Sequence, residues 1–277
     1  MKFRNAIFAL VAITFLGASP ARAKESPYPE FIQLMHNFDE ISTAFTVDMF
    51  SSAVLIGQAL SVDPNVAKIK SVAGTISEKA ESLEKASSDI QTFLAKNKSS
   101  LGSVKDVADK IEADSAPDNV TKAKELASSL AAFAEAATEQ QFTVYANEGW
   151  ANSGITVSPG DIIWVNASGG WSVSNTYDAV GWKGYICHSS DMYNLNKSAP
   201  LGALLYRVRG SSKSDGFPLD ENKRGQIDAS GRLEFIINDS DRRNNQGQLD
   251  LKVVVLNGEK LKGLLQLLQN TRDDNKE

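Results

Sequence analysis

The densest group of oxygen-bearing side chains lies in residues 237–247, with the sequence Ile-Asn-Asp-Ser-Asp-Arg-Arg-Asn-Asn-Gln-Gly. It includes the carboxylates of Asp239 and Asp241 and the amides of Asn244 and Asn245. Hard cations such as Ca²⁺ take about six to eight oxygen ligands from carboxylates, amides and backbone carbonyls. The same residue types also build polar turns that bind no metal. A calcium site and a plain turn are therefore both compatible with these residues.

An EF-hand does not explain this segment. Asp239 and Asp241 match its first two ligand positions, but Arg243 stands at the third and Asn244 replaces the required glycine. Apolar residues alternate with polar ones on both sides of the segment, at Leu233, Phe235, Ile237, Leu249, Leu251, Val253 and Val255. This period of two predicts a half-buried strand on each side. We therefore expect a polar loop at the edge of a β-sheet, held by two strands.

The overall composition argues against several functions. The 277 residues carry a net charge of −5, with an isoelectric point near 5.3. Nucleic-acid binding depends on clustered Lys and Arg, so nucleic acid is not expected as the main partner. The single cysteine, Cys187, excludes an intrachain disulfide framework, and two histidines far apart in the sequence argue against a His-rich zinc site.

The N-terminus has the pattern of a secretory signal peptide. Lys2 and Arg4 give a basic start, residues 6–16 form an uncharged apolar run, and Ala-Arg-Ala at 21–23 matches a cleavage site. The apolar run is short for a membrane span. We expect residues 1–23 to be removed and the mature protein to be exported, as a periplasmic or secreted protein.

Residues 24–141 carry apolar side chains in steps of three and four, which is typical of helices. The stripes lie at 31–49, 66–93, 103–111 and 119–138. Asp63 is the expected cap of the second helix, with Pro64 at its first position, and Pro117 is expected to break the chain. Each stripe needs a partner to bury it, so an antiparallel α-helical bundle is predicted.

Two features of the predicted bundle could suggest more than packing. Residues 44–60 contain one charge, Asp48, and are apolar on nearly all sides. Such a helix is either central in a bundle or meant for a membrane, and Asp48 favours the bundle because it would be costly in lipid. His36 lies among apolar residues and is expected to be packed or half-exposed.

The composition changes near Phe142 from alanine-rich helix to Gly, Asn, Ser, Trp and β-branched residues. Strands are predicted at 142–146, 154–157, 162–166, 203–208, 226–227, 233–237 and 249–256. Short, closely spaced strands predict an antiparallel β-sandwich over residues 142–256. Residues 257–277 are expected to form a short amphipathic helix and a charged tail. The fold class is therefore α+β, with a helical bundle followed by a sandwich.

Several segments of the predicted sandwich resemble, in order, the PA-IL-like family of calcium-dependent galactophilic bacterial lectins. They are Trp150, Val-Ser-Pro-Gly-Asp at 157–161, Ala-Ser-Gly-Gly-Trp at 167–171, Gly-Tyr-Ile-Cys-His at 184–188, Gly-Ala-Leu-Leu at 202–205 and the Asn-Asp…Asn-Asn-x-Gly pattern at 238–247. The resemblance covers roughly residues 142–256, less than half of the chain. It implies a small β-sandwich in which one calcium ion bridges protein and sugar hydroxyls.

The resemblance implies roles for individual residues. Asp239 would bind calcium through its carboxylate, and Asn244 and Asn245 through side-chain oxygens. Asp239 and Asn244 would also face the sugar. Ser174, three residues after Trp171, would contribute its backbone carbonyl. Two neighbouring sugar hydroxyls can complete an oxygen shell that the protein leaves open.

The chain also departs from the family pattern. Four residues lie between Asp239 and Asn244 where the galactophilic members have six, and Asp241 is the candidate substitute for a ligating Thr. Arg242 and Arg243 would either weaken calcium binding by repulsion or pair with Asp241 or an acidic ligand.

A second departure concerns the residues that grip the sugar. Val180 and Lys183 stand where galactophilic members have His and Gln, so Trp182 and Lys183 are candidate contacts for a different sugar. A galactose-like sugar and an acidic glycan are both open, and Trp182 could equally be core.

Other reactive or aromatic residues have simpler interpretations. Cys187 and His188 are neighbours in an expected strand, so their side chains point to opposite faces and a buried structural cysteine is favoured. Trp150, Trp164 and Trp171 are sugar-stacking candidates, but large aromatics in sandwiches are usually core.

The leading hypothesis is a non-catalytic, calcium-dependent carbohydrate-binding protein whose helical domain oligomerises or tethers it and so adds avidity. One alternative is a glycan-targeted toxin in which residues 44–60 contact a membrane. Another is a structural interaction module without metal or sugar. An enzyme is least favoured, because no glycosidase pattern surrounds exposed carboxylates such as Asp178 and Asp191.

Overall fold

The structure is a computed structural model that describes residues 64–97, 117–185 and 192–273, with a few helical residues between 30 and 41. The predictions for residues 1–23, 44–60 and 103–111, and for Asp63, Cys187, His188 and Asp191, lie outside the described residues. The chain divides into two compact units. Residues 72–128 belong to the first, and residues 64–71 and 129–273 belong to the second.

Within residues 64–136, the described ranges contain two long helices before the strands, α1 (Val66–Asn97) and α2 (Pro117–Ala136). Their predicted apolar stripes are largely buried, at Ile69, Ile76, Leu83, Ile90 and Phe93 in α1 and at Val120, Leu126, Leu130 and Phe133 in α2. Within the first unit, Lys124 Nζ lies 2.6 Å from the Glu84 carboxylate. Among the described residues, no helix combines the length and apolar character needed to cross a membrane.

The helix starts differ from the predictions because of local capping. The Lys68 N–H donates to Asn65 Oδ1 at 2.9 Å, so Asn65 caps α1 and Pro64 precedes the helix. Pro117 is the first residue of α2, where its missing N–H has no helical partner to lose. The expected chain break at Pro117 is therefore a helix start. His36 is exposed, 3.5 Å from Glu40 one helical turn away, rather than packed.

In the described part of the chain, eight strands form two antiparallel sheets. They are β1 (Thr138–Tyr145), β2 (Ala151–Val157), β3 (Ile162–Ser172), β4 (Leu204–Val208), β5 (Phe217–Pro218), β6 (Arg224–Gln226), β7 (Gly231–Ile237) and β8 (Gln246–Leu256). One sheet has the order β1-β8-β3-β6 and the other β2-β7-β4-β5. Helix α3 (Gly258–Asp273) follows and buries Leu261 and Leu264, while Leu265 is exposed. The predicted fold class is confirmed.

The strand bounds show where tertiary pairing overrides local composition. β1 begins at Thr138, four residues before the predicted strand, because the polar residues 138–141 pair with β8 from Val255 to Lys252. β5 has only two residues, which pair with Leu205 and Tyr206, and was not predicted. Both cases depend on a partner strand that is distant in sequence.

The core of the sandwich contains the inward residues of both sheets, among them Val165, Leu204, Leu233, Phe235, Leu251 and Val253. Trp171 is fully buried, and its Nε1–H donates to the Gly202 carbonyl at 2.7 Å. Trp164 is also buried, and the Arg224 guanidinium lies 5.5 Å from its ring centroid. Trp150 packs against the core below the Arg207 guanidinium, 4.1 Å from its ring centroid. The three tryptophans therefore serve packing.

The segment between β7 and β8, residues 238–245, is called here the Asp239 loop. β7 lies between β2 and β4 in one sheet, whereas β8 lies between β1 and β3 in the other. The loop therefore crosses from sheet to sheet between two interior strands. The expected position at the edge of one sheet is wrong, because alternation identifies a strand but not the sheet that it joins.

Candidate functional site

The Asp239 loop is held at the ends of three strands. In the ladder between β3 and β8, Trp171 pairs with Gly247 and Ser172 with Gln246. The chain that continues from β3 to Ser174 therefore leaves the sheet beside the residues that precede β8. The Asn245 Nδ2–H also donates to the Ala146 carbonyl at 3.1 Å, just beyond β1. Segments distant in sequence are thus brought to one end of the sandwich.

Asp239 provides a buried carboxylate. Asp239 is 3% exposed, and its Oδ1 accepts the Asp241 N–H at 2.9 Å. Burial raises the pKa of Asp239, because the charged form loses solvation. Hydrogen bonds from Asp241 and Asn245 and the charge of Arg242 lower the pKa in part. The Arg242 Nη1–H donates to the backbone carbonyl of Asp239, at 3.1 Å, and not to its carboxylate.

Asn245 provides a buried amide oxygen. The residue is 5% exposed, and its side chain lies close enough to the Asp239 carboxylate to lower the pKa of that group. Within the described part of the chain, the Asn245 Oδ1 has no hydrogen-bond partner. An unpaired buried acceptor costs about 1–3 kcal/mol, so such atoms are rare without a reason. An acceptor left unpaired beside a carboxylate is the arrangement that a cation would satisfy.

Asp241 and Asn244 have a different environment on the outside of the loop. Arg243 donates from Nε and Nη2 to the two carboxylate oxygens of Asp241, at 2.9 and 3.1 Å. This pair lowers the pKa of Asp241, and the hydrogen bond from Arg243 is the largest cause of the shift. Of the alternatives for the two arginines, pairing with Asp241 is the one found for Arg243. Asn244 ends a short 3₁₀ helix, Arg242–Asn244, and is exposed to solvent.

Ser174 presents its backbone in a turn. Its carbonyl accepts the Tyr177 N–H at 3.4 Å, which is a long hydrogen bond. Its Oγ lies 2.8 Å from Thr176 Oγ1 and accepts the Thr176 N–H at 3.2 Å. A carbonyl with one long hydrogen bond keeps a lone pair for another partner, as the predicted ligand role requires.

Trp182 and Lys183 lie in a separate groove. The Trp182 carbonyl accepts the Leu204 N–H at 2.8 Å, and the Ala203 carbonyl accepts the Asn238 N–H at 2.7 Å. The start of β4 therefore runs between this groove and the Asp239 loop. The groove has a volume of about 220 Å³ and is lined by Trp182, Lys183, Pro200, Pro218, Leu219 and Glu221, among others. Trp182 also packs on the core, and the Lys183 Nζ lies 5.3 Å from its ring centroid.

Sequence reasoning gave no role to Asn238, which organises the site. It is fully buried, and its Nδ2 lies within 3.0 Å of the carbonyls of Asn196, Ala199 and Pro200. Its Oδ1 accepts the Asn196 N–H at 2.9 Å. Asn238 thus fixes residues 196–200 beside the Asp239 loop. The only sequence signal was an amide at the exact end of an apolar strand.

Within the described ranges, no group of three or more His, Cys, Asp or Glu side chains could hold a metal ion. The donors at the Asp239 loop are of another kind, namely one buried carboxylate with amide and backbone oxygens. This set suits a hard cation such as Ca²⁺ better than Zn²⁺, which prefers nitrogen and sulfur.

No protein-family model matches the chain, and no curated protein matches it. Among solved structures, the chain is similar to the EclA N-terminal domain, described as a PllA-like lectin. The identity is 18%, the TM-score is 0.32, and the match covers 41% of this chain and 93% of that domain. At these values, the roles of individual residues have to come from the geometry of this chain.

Proposed function

We propose that this protein binds carbohydrate through a calcium ion at the Asp239 loop and has no catalytic role. Asp239 and Asn245 would hold the ion from inside, with Asn244 and the Ser174 carbonyl completing the protein ligands. Asp239 and Asn244 would also meet the sugar. The single observation that carries the proposal is the unpaired Asn245 Oδ1 beside the buried Asp239 carboxylate.

The number of ligands leaves room for a sugar. Ca²⁺ takes about six to eight oxygens, and the side chains and carbonyl named above supply only part of this shell. Two vicinal hydroxyls of a sugar can fill the open positions. Calcium and sugar would then bind at the same place, which accounts for the gathering of polar residues in this loop.

The arginines of the loop do not oppose this arrangement. Arg243 is paired with Asp241, which leaves little net charge at that point. Arg242 donates to a backbone carbonyl. Two carboxylates and two guanidiniums give the loop no net charge, so we expect calcium affinity below that of charge-rich calcium loops. In this proposal Asp241 stays with Arg243 instead of acting as a ligand.

Export and avidity complete the proposed function. Residues 1–23 would direct the protein to the periplasm or the outside, where calcium and glycans are available. The helical region would oligomerise or tether the sandwich, so that several weak sugar sites act together. The groove with Trp182 and Lys183 is separated from the loop by β4, so its contribution would be to a longer or acidic glycan.

The test is isothermal calorimetry of calcium into the chelator-treated protein. We expect heat from a single site that is abolished in Asp239→Ala and kept in Asp215→Ala, which removes an exposed carboxylate on the β4–β5 connection. A glycan array with and without calcium then tests sugar binding. No calcium heat in the unaltered protein would rule out the site.

A further inference from the structure

Two apolar side chains are exposed beside the Asp239 loop. Met192 is 78% and Tyr193 50% exposed, although most large apolar side chains of the sandwich are buried. The Ser240 N–H donates to the Tyr193 carbonyl at 2.7 Å, so the backbone of Tyr193 contacts the residue directly after Asp239. Consecutive Cα atoms are about 3.8 Å apart, which places Tyr193 within side-chain reach of the candidate ion site.

The segment that carries Tyr193 is held firmly in place. Asn194 Nδ2–H donates to the Ala199 carbonyl at 2.9 Å, and Asn196 Nδ2–H to the Gly216 carbonyl at 2.7 Å. Asn238 binds the same segment and is followed directly by Asp239. Tyr193 and Asp239 are therefore fixed to one common anchor, which is a precondition for acting on one ligand.

We propose that Tyr193 is the aromatic platform of the carbohydrate site and selects a glycan of two or more sugars. This inference rests on the proposed function. One sugar would use its hydroxyls at the ion, and the apolar C–H face of that sugar or its neighbour would lie on the tyrosine ring. Ligand sites commonly combine a few converging polar groups with aromatic surface. Tyr193 is 50% exposed and supplies a large contact area with few rotatable bonds.

The exposed side chains of Met192 and Tyr193 could also contact a second copy of this chain instead of a glycan. The position of Tyr193 favours the glycan, because its backbone is hydrogen-bonded to the Asp239 loop, which carries the candidate calcium ligands. A surface for self-association would need no link to that loop. The two occupants can be separated by experiment, since only one of them depends on calcium and sugar.

The experiment compares Tyr193→Ala and Tyr193→Phe with the unaltered full chain. The probes are galactose-terminated and uronic-acid-terminated mono-, di- and trisaccharides, titrated in calcium. We expect Tyr193→Ala to weaken binding of the di- and trisaccharides by about tenfold or more and Tyr193→Phe to stay within about threefold. Calcium affinity should be unchanged in both. Leu265→Ala, which truncates a side chain of similar exposure on α3, should bind like the unaltered chain.

Three other outcomes would contradict the inference, and each would have a different meaning. Equal glycan binding by the unaltered chain and Tyr193→Ala would overturn the platform and leave the proposed function standing. Calcium binding without any sugar binding would overturn both. A change in molar mass of Tyr193→Ala by light scattering, with glycan affinity unchanged, would identify the Met192–Tyr193 surface as a contact between copies.

Discussion

At the scale of single residues, burial separates side chains that look equivalent in the sequence. Asp239 and Asn245 are buried, whereas Asp241 is bound by Arg243 and Asn244 faces solvent. The difference matters because an oxygen in a low-dielectric site has strong interactions and few partners. In the proposed function the inner pair would hold the ion from inside, the exposed Asn244 would reach ion and sugar, and Asp241 is neutralised by Arg243.

Asn245→Asp tests this distinction. The change places a second carboxylate beside Asp239 and removes the amide donor to the Ala146 carbonyl. We expect the calcium-free protein to lose about 1–3 kcal/mol in free energy of unfolding, because like charges are buried together and a bond is lost. Calcium should restore much of this loss, since the ion would neutralise both carboxylates. Urea unfolding with and without calcium measures both effects.

The matched control for that change is Asn244→Asp, next in the chain but exposed. Its calcium-free stability should change by less than about 0.5 kcal/mol, as is usual for surface substitutions. Similar losses in the two variants would mean that the buried oxygen of Asn245 has no special role.

At the scale of elements, the site depends on how closely β3 and β8 approach at their ends. Gly247 has a φ of 87°, and a Cβ there would collide with the Gly170 carbonyl. Gly170 and Trp171 in β3 thus pack directly against Gly247, the second residue after Asn245. The absence of a side chain at 247 lets the two strands pair as far as Ser172 and Gln246, so the chain that leads to Ser174 leaves the sheet beside the end of the Asp239 loop.

Gly247→Ala is therefore expected to damage both stability and calcium binding. The left-handed backbone and the collision together should cost about 3 kcal/mol or more in free energy of unfolding. Gly154→Ala is the control, because Gly154 has a φ of 75° but open space around a Cβ. It should cost only about 1–2 kcal/mol and leave calcium affinity unchanged. Equal effects in urea unfolding and calorimetry would contradict the close-approach argument.

At the scale of the whole molecule, the two sheets bury a common core, and polar groups inside it make stability depend on pH. Tyr206 in β4 is 5% exposed, and its hydroxyl donates to the Gln226 carbonyl at 3.2 Å. Burial raises the pKa of Tyr206 from 10.0 to about 12. The folded state thus resists forming a phenolate that the unfolded chain forms readily.

The sign of the pH effect follows from that shift. Below pH 10 both states keep the phenol proton, and the contribution to stability is fully present. Between pH 10 and about 12 the unfolded chain loses the proton first, so stability falls as pH rises. We expect Tyr206→Phe to lose less stability than the unaltered protein from pH 9 to pH 11 in urea unfolding. Parallel losses in the two proteins would show that other groups control the alkaline limb.

The sequence by itself determined the types of element and the chemistry available to them. Stripes at helical spacing predicted α1 and α2, and alternation predicted β7 and β8, because both patterns reflect local backbone geometry. The collection of Asp and Asn in one loop also identified where oxygen ligands could gather. These properties depend on residues that are close in the sequence and not on contacts with distant parts of the chain.

Only the tertiary structure decided which of these groups meet. Asn245 binds Ala146 across 99 positions of the chain, and Asn238 binds Asn196 across 42. The same pairing placed the Asp239 loop between two sheets and left Trp182 and Lys183 on the other side of β4. Register between distant strands sets these contacts, and it depends on the packing of a whole core rather than on any local pattern.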